Sequence, residues 1–168
     1  MEKSLHYLIG DATKPISNPA IIAHVCNDIG GFGRGFVVSL ARAFPEVKES
    51  YLRWFSYPVK PALGNVQIVN THVEGISVAN MVAQHGVRWE GKNPPIRYDA
   101  LEQGLKQVYN HADQNKKIVV APRLGAVLSG GDWNIIENIF QRVMTVETYI
   151  YTLPSQKDRW PTEYENGE

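Results

Sequence analysis

The sequence predicts an α/β fold of three layers, a central sheet with helices on both faces, and three observations predict it. Short runs rich in β-branched residues alternate with segments whose apolar residues recur at helical spacing. One such run, residues 21–26, is almost wholly apolar, as a strand buried on both faces must be. Two glycine-dense loops, residues 30–35 and 124–131, each follow a run of this kind and lead into an amphipathic segment, the pattern of strand, tight loop and helix. In open α/β sheets ligands lie beyond the carboxyl ends of the strands, which is where both loops fall.

Taken in order, residues 5–9 form a first strand ended by Gly10-Asp11, and residues 13–19, with two prolines, form a loop. The strand 21–26 ends at Asn27, with His24 within it. From Phe36, the spacing of Val37, Leu40, Ala41 and Phe44 predicts a helix, and Pro45 suits the first turn of a second. That second helix is expected to run to Phe55 with Val47, Tyr51, Leu52 and Phe55 on one side. Residues 66–69 and 76–82 read as strands that pair as neighbours. Residues 84–95 are irregular, a flap carrying His85, Arg88 and Trp89. A helix is expected over 98–111 and a strand over 117–121, closed by Pro122. Asp132 then caps a helix whose face is Ile135, Ile136, Ile139, Phe140 and Val143, and residues 146–153 form the last strand. Residues 155–168 read as a polar, loosely packed tail, leaving one domain over 1–154.

The totals exclude some functions. Lys and Arg together number 17, as do Asp and Glu, so the charge balance gives no reason to expect a membrane surface or a stable nucleic-acid partner. The single cysteine, Cys26, excludes an intrachain disulfide framework and a cysteine zinc cage, and fits a reducing, cytoplasmic setting. His24, His72, His85 and His111 are scattered without paired ligand spacing, so no metal is expected. No stretch approaches the length of a membrane span, and the first residues lack the basic start and apolar core of an export signal.

The first glycine loop points to an anionic ligand, because glycines let backbone approach closely and the N–H groups opening the next helix attract negative charge. It is not a Walker loop, since Phe36 and Val37 follow Gly35 where Lys and Ser or Thr are required. Nor does it keep the dinucleotide spacing: from Gly31 the third glycine position is Phe36, and from Gly33 it is Val38. Two glycine loops flanking one crevice suit a nucleotide diphosphate.

The order of several short motifs resembles the macrodomain family, the ADP-ribose-binding α/β/α fold. These are Gly10-Asp11 after the first strand; His24-x-x-Asn27 with the glycine loop; Leu63-Gly64-Asn65-Val66; Pro122-Arg123-Leu124-Gly125 with Gly130-Gly131-Asp132-Trp133; and Tyr151-Thr152-Leu153. The His-x-Cys-Asn type of loop and Arg42-Ala43-Phe44-Pro45 look most similar to the branch containing the yeast ADP-ribose 1″-phosphate phosphatase. The branch of human ADP-ribosyl-glutamate hydrolase is the next neighbour. The resemblance implies a mixed central sheet and a ligand-binding set: Asp11 and Ala12 with Tyr151 beside adenine, Asn27 at the distal ribose, Gly31, Phe32, Gly33 and Arg34 near ribose and phosphate, and Gly125, Ala126, Val127, Leu128, Ser129 and Gly130 as the second phosphate loop. It also implies that His24 is catalytic.

Each of these has a plainer reading: Asp11 as a turn residue, Asn27 as a strand-end turn, Tyr151 as core, His24 as a packed, satisfied histidine. The chain also departs from the glutamate-hydrolase pattern, with no lysine between Lys60 and Lys92 and Ser129 in place of the second loop's aspartate. The expected function is hydrolysis of an ADP-ribose derivative such as the 1″-phosphate, with no cofactor. The alternatives are a non-catalytic reader of free or protein-linked ADP-ribose, partnered with ADP-ribosylated macromolecules, or a hydrolase of ADP-ribosyl linkages.

Overall fold

The computed structural model describes residues 3–127, 129–160 and 162–167, so Leu128 lies outside the described residues. Six strands form one sheet: β1 (Leu5–Ile9), β2 (Ala20–Asn27), β3 (Val66–Asn70), β4 (Ile76–Gln84), β5 (Ile118–Pro122) and β6 (Thr148–Thr152). Their spatial order is β1-β6-β5-β2-β4-β3. Every neighbouring pair is parallel except β3 with β4, which a short turn joins antiparallel, so the sheet is mixed. Parallel neighbours on both sides explain the apolar run in β2, which is buried on each face.

Alternation along the strands divides the core in two. Ile21, Ala23, Ala79, Met81 and Val119 face α3 (Tyr98–Asn115) and α4 (Trp133–Val143). Ile22, Cys26, Val78, Val82 and Val120 face α1 (Phe36–Ala43) and α2 (Pro45–Phe55). The expected three-layer α/β/α fold is what forms.

Details differ from the sequence pattern. Leu52 and Ile135, placed on buried faces by spacing, are 44% and 42% exposed, because each lies at the margin of its helix's apolar stripe. α3 runs to Asn115 rather than 111, since Ala112 is still buried against the sheet, and Lys116 ends it in the left-handed conformation. The strand expected over 146–153 is confined to Thr148–Thr152.

The largest difference is the tail. After a 3₁₀ helix at Pro154–Arg159 the chain turns back along β1, an edge strand that would otherwise leave its backbone unpaired. Asn166 bonds both the N–H and the C=O of Ile9, at 2.7 and 3.0 Å, and Glu165 donates its N–H to the Tyr7 carbonyl at 3.0 Å. Trp160 stacks on the Arg123 guanidinium and Tyr164 accepts a hydrogen bond from it. A polar composition gave no hint of this docking, because its anchor, Arg123, lies about 40 residues earlier in the chain. Among the described residues no helix is long and apolar enough to cross a membrane.

Candidate functional site

A cleft of about 280 Å³ opens at the carboxyl ends of the strands. Gly10, Asp11 and Ala12 line it after β1, Tyr151 in β6, Pro122 at the end of β5 with Arg123 to Gly125 after it, His24 and Val25 in β2, and Gln84 in β4. The cleft therefore crosses five adjacent strands, four spacings of ~4.8 Å each, or roughly 19 Å. That is the length of an extended dinucleotide-sized ligand.

One wall is the start of α1, where Arg34, Gly35, Phe36 and Val37 line the cleft. No side chain caps this end, no acidic residue occupies the first turn, and the residues that open the helix line the cleft, which brings the positive end of its dipole to the cavity. Gly35 holds φ 82° and ψ −146°, a region only glycine occupies at ease. The opposite wall is the second glycine loop, with Gly125, Val127 and Ser129 on the cleft. Gly131 donates its N–H to the Gly125 carbonyl at 2.7 Å, and a Cβ at Gly131 would lie 2.4 Å from that oxygen, so the closure of this loop requires glycine.

At the β1 end, Asp11 Oδ1 accepts the backbone N–H and the hydroxyl of Thr13, at 2.9 and 2.8 Å. The turn reading of Asp11 is thus correct, and the residue also lines the cleft. Tyr151 is buried yet lines the cleft, its phenol oxygen accepting the Ile16 N–H at 2.8 Å. At the far end the Ser129 hydroxyl donates to Gln84 Oε1, tying the second loop to the tip of β4.

Other expected site residues lie elsewhere. Asn27 shapes the first loop from within: its Oδ1 accepts the N–H groups of Ile29 and Gly31 at 3.1 and 2.9 Å, and its Nδ2 donates to the Gly31 carbonyl at 2.8 Å. Tyr51 donates to the same residue's backbone oxygen at 2.9 Å. Phe32 is core, packed 5.0 Å from the Tyr51 ring. Gly31 and Gly33 belong to the loop without lining the cleft, Ala126 packs in the α3–α4 core, and Gly130 lies beneath Trp89. Gln84, Gly35, Phe36 and Val37 line the cleft although the resemblance did not put them in the ligand-binding set; for Gln84 its address at a strand's carboxyl end was the available signal.

His24 borders the cleft but is packed rather than exposed. It is 2% exposed, with Phe32 and Phe36 against its ring and Nε2 only 2.5 Å from Asn80 Oδ1. Asn80 spends its amide N–H on Gln67, so its carbonyl faces His24 and fixes the Nε2–H tautomer. Burial lowers the His24 pKa to about 4, against which the Asn80 bond acts weakly, and the ring is neutral at pH 7. Cys26, 3.7 Å away, is likewise inert, its thiol pushed up by burial.

A stability effect follows. Between about pH 6.5 and about pH 4 the unfolded histidine binds a proton that the folded one refuses, so His24 makes stability fall as pH is lowered through that window. The loss is at most about 3 kcal/mol. Denaturant unfolding at pH 7 and pH 5 should show a smaller pH-dependent loss in His24→Gln than in the wild type.

The comparisons with known proteins agree with the fold. No protein-family model matches the chain. A Bacteroides thetaiotaomicron protein of unknown function is 40% identical, with 89% of this chain and 98% of that one covered at a TM-score of 0.85. A macrodomain protein from Streptomyces coelicolor is 34% identical, with 88% and 97% covered at a TM-score of 0.76. The chain belongs to the macrodomain family. Thermosipho africanus DarTG in complex with ADP-ribose shares the fold at 14% identity, with 80% of this chain and 38% of that one covered at a TM-score of 0.66. Among curated proteins, mouse chromodomain-helicase-DNA-binding protein 1-like is 28% identical over 167 residues, and the match spans 93% of this chain but 18% of that relative's length.

Proposed function

We propose that the protein binds ADP-ribose, or a derivative of it, along this cleft. The adenine lies at the Asp11–Tyr151 end, where a carboxylate oxygen can accept the exocyclic amine beside an aromatic wall. The diphosphate lies between the start of α1 and the loop at 125–130, and the distal ribose points to Gln84 and Ser129. The observation that carries this reading is the uncapped α1 N-terminus facing a second glycine loop across the cleft, a built site for a diphosphate. The macrodomain relationship supports it, as does the ADP-ribose complex of a protein with the same fold.

Hydrolysis of ADP-ribose 1″-phosphate is the finer form of the proposal, and a non-catalytic reader the alternative. A neutral His24 with Nε2 committed to Asn80 is poorly placed to move protons, so turnover needs another group. We assign residues 1–154 to the macrodomain and 155–168 to a C-terminal segment, of which Trp160, Tyr164, Glu165 and Asn166 dock on it, and the one buried, free cysteine suits the cytoplasm.

Calorimetric titration tests the binding mode. ADP-ribose should bind more tightly than AMP, and Asp11→Ala should weaken ADP-ribose by about tenfold, the worth of one hydrogen bond to a charged group. Equal affinities for ADP-ribose in Asp11→Ala and wild type would remove adenine from that end.

A further inference from the structure

The 3₁₀ helix at Pro154–Arg159 leaves β6 at its carboxyl end, and two residues of this stretch, Leu153 and Gln156, line the cleft. β6 lies between β1 and β5 in the sheet, so they stand at the end of the cleft that Asp11 lines after β1 and Tyr151 lines from β6 itself. The Gln156 N–H donates to the Leu153 carbonyl at 2.8 Å and closes the turn. Gln156 is half-buried, and among the described residues its carboxamide has no hydrogen-bond partner. Glutamines that serve the fold behave differently here: Gln67 and Gln107 each donate Nε2–H to a backbone carbonyl at 2.9 Å.

The turn that carries Gln156 is clamped at both ends. β6 precedes it, and Trp160, directly after it, stacks on the guanidinium of Arg123, whose Nε is bonded to Thr152 in β6. Tyr164 donates to the Trp160 carbonyl at 3.0 Å while accepting from Arg123, and Glu165 and Asn166 hold the rest of the segment on β1. A half-buried amide on a fixed turn loses little freedom when a ligand arrives.

We propose that Gln156 is a specificity-determining residue for the base, its carboxamide hydrogen-bonding the adenine edge, a role that rests on ADP-ribose occupying the cleft as proposed. Adenine presents an exocyclic amine, a donor, beside a ring nitrogen that accepts, and a carboxamide offers the matching acceptor and donors. The Asp11 carboxylate can accept the amine but has no hydrogen for the ring nitrogen. Gln156 supplies that hydrogen from the neighbouring strand's exit. A base with a carbonyl in place of the amine would set its oxygen against the Asp11 carboxylate. The C-terminal segment is on this reading a part of the binding site as well as a cover for the sheet edge.

The test uses the full chain and two readouts. The side-chain amide NMR signals of Gln156, assigned by their absence in Gln156→Met, should shift saturably with AMP and stay in place with ribose 5-phosphate, which lacks the base. By calorimetry Gln156→Met, which keeps the volume and loses the amide, should bind ADP-ribose about fivefold more weakly with an unchanged melting temperature. Wild-type affinity in Gln156→Met overturns the assignment while leaving ADP-ribose in the cleft, as do amide signals that ignore AMP or move equally with ribose 5-phosphate. A wild type that fails to bind ADP-ribose overturns the binding mode beneath it, and the assignment with it.

Discussion

Gly35→Ala should weaken ADP-ribose binding by at least tenfold while leaving the protein folded. Alanine at φ 82°, ψ −146° carries strain of about 1–3 kcal/mol, which the loop relieves by moving to another conformation. Any such move swings the first turn of α1, whose Phe36 and Val37 line the cleft. The cost to folding is limited by the same relaxation, about 5 °C in melting temperature for a domain of this size. The cost to binding is larger because the N–H groups that open α1 are the preorganised part of the anion site. Calorimetry beside a melting curve separates the two effects, and unchanged affinity would show that α1 does not hold the diphosphate.

The second large effect is expected on stability. Arg123 is 3% exposed, and its guanidinium lies 4.8, 4.8 and 4.9 Å from the rings of Tyr7, Trp133 and Trp160. Its Nε donates to Thr152 at 2.8 Å and its Nη2 to Tyr164 at 3.3 Å, so one side chain joins β5, β6, α4 and the C-terminal segment. Arg123→Ala removes these contacts and leaves a cavity among the rings, for a loss of about 3–5 kcal/mol, or roughly 10 °C. Arg123→Met refills the volume but not the bonds. It should recover part of the stability while leaving the segment after Trp160 open to proteolysis, and wild-type protection of that segment in Arg123→Met would show that the cage does not hold it.

The strands and helices were legible because their signals are local. β-Branched runs, helical spacing, Pro45 at a helix start and Asp132 as a cap each act within a few residues. The cleft was legible as a place, since both glycine loops and Asp11 follow strands. What the sequence could not settle was the direction and partner of individual side chains. His24 is engaged by Asn80, Asn27 by Tyr51 and Phe32 by Tyr51, contacts made by residues at least 19 positions away. A motif marks such residues without saying whether they serve the ligand or the loop that holds it. The docked tail was hidden for the same reason, its anchor being a buried arginine whose cage assembles from β1, α4 and the segment itself.

The central claim is that one diphosphate lies between the start of α1 and the second glycine loop. A phosphorus NMR titration of ADP-ribose with the purified protein tests it most directly. Both diphosphate resonances should shift or broaden saturably with wild type, and Gly35→Ala should reduce the effect. Resonances that stay unperturbed in an excess of folded protein would contradict the account.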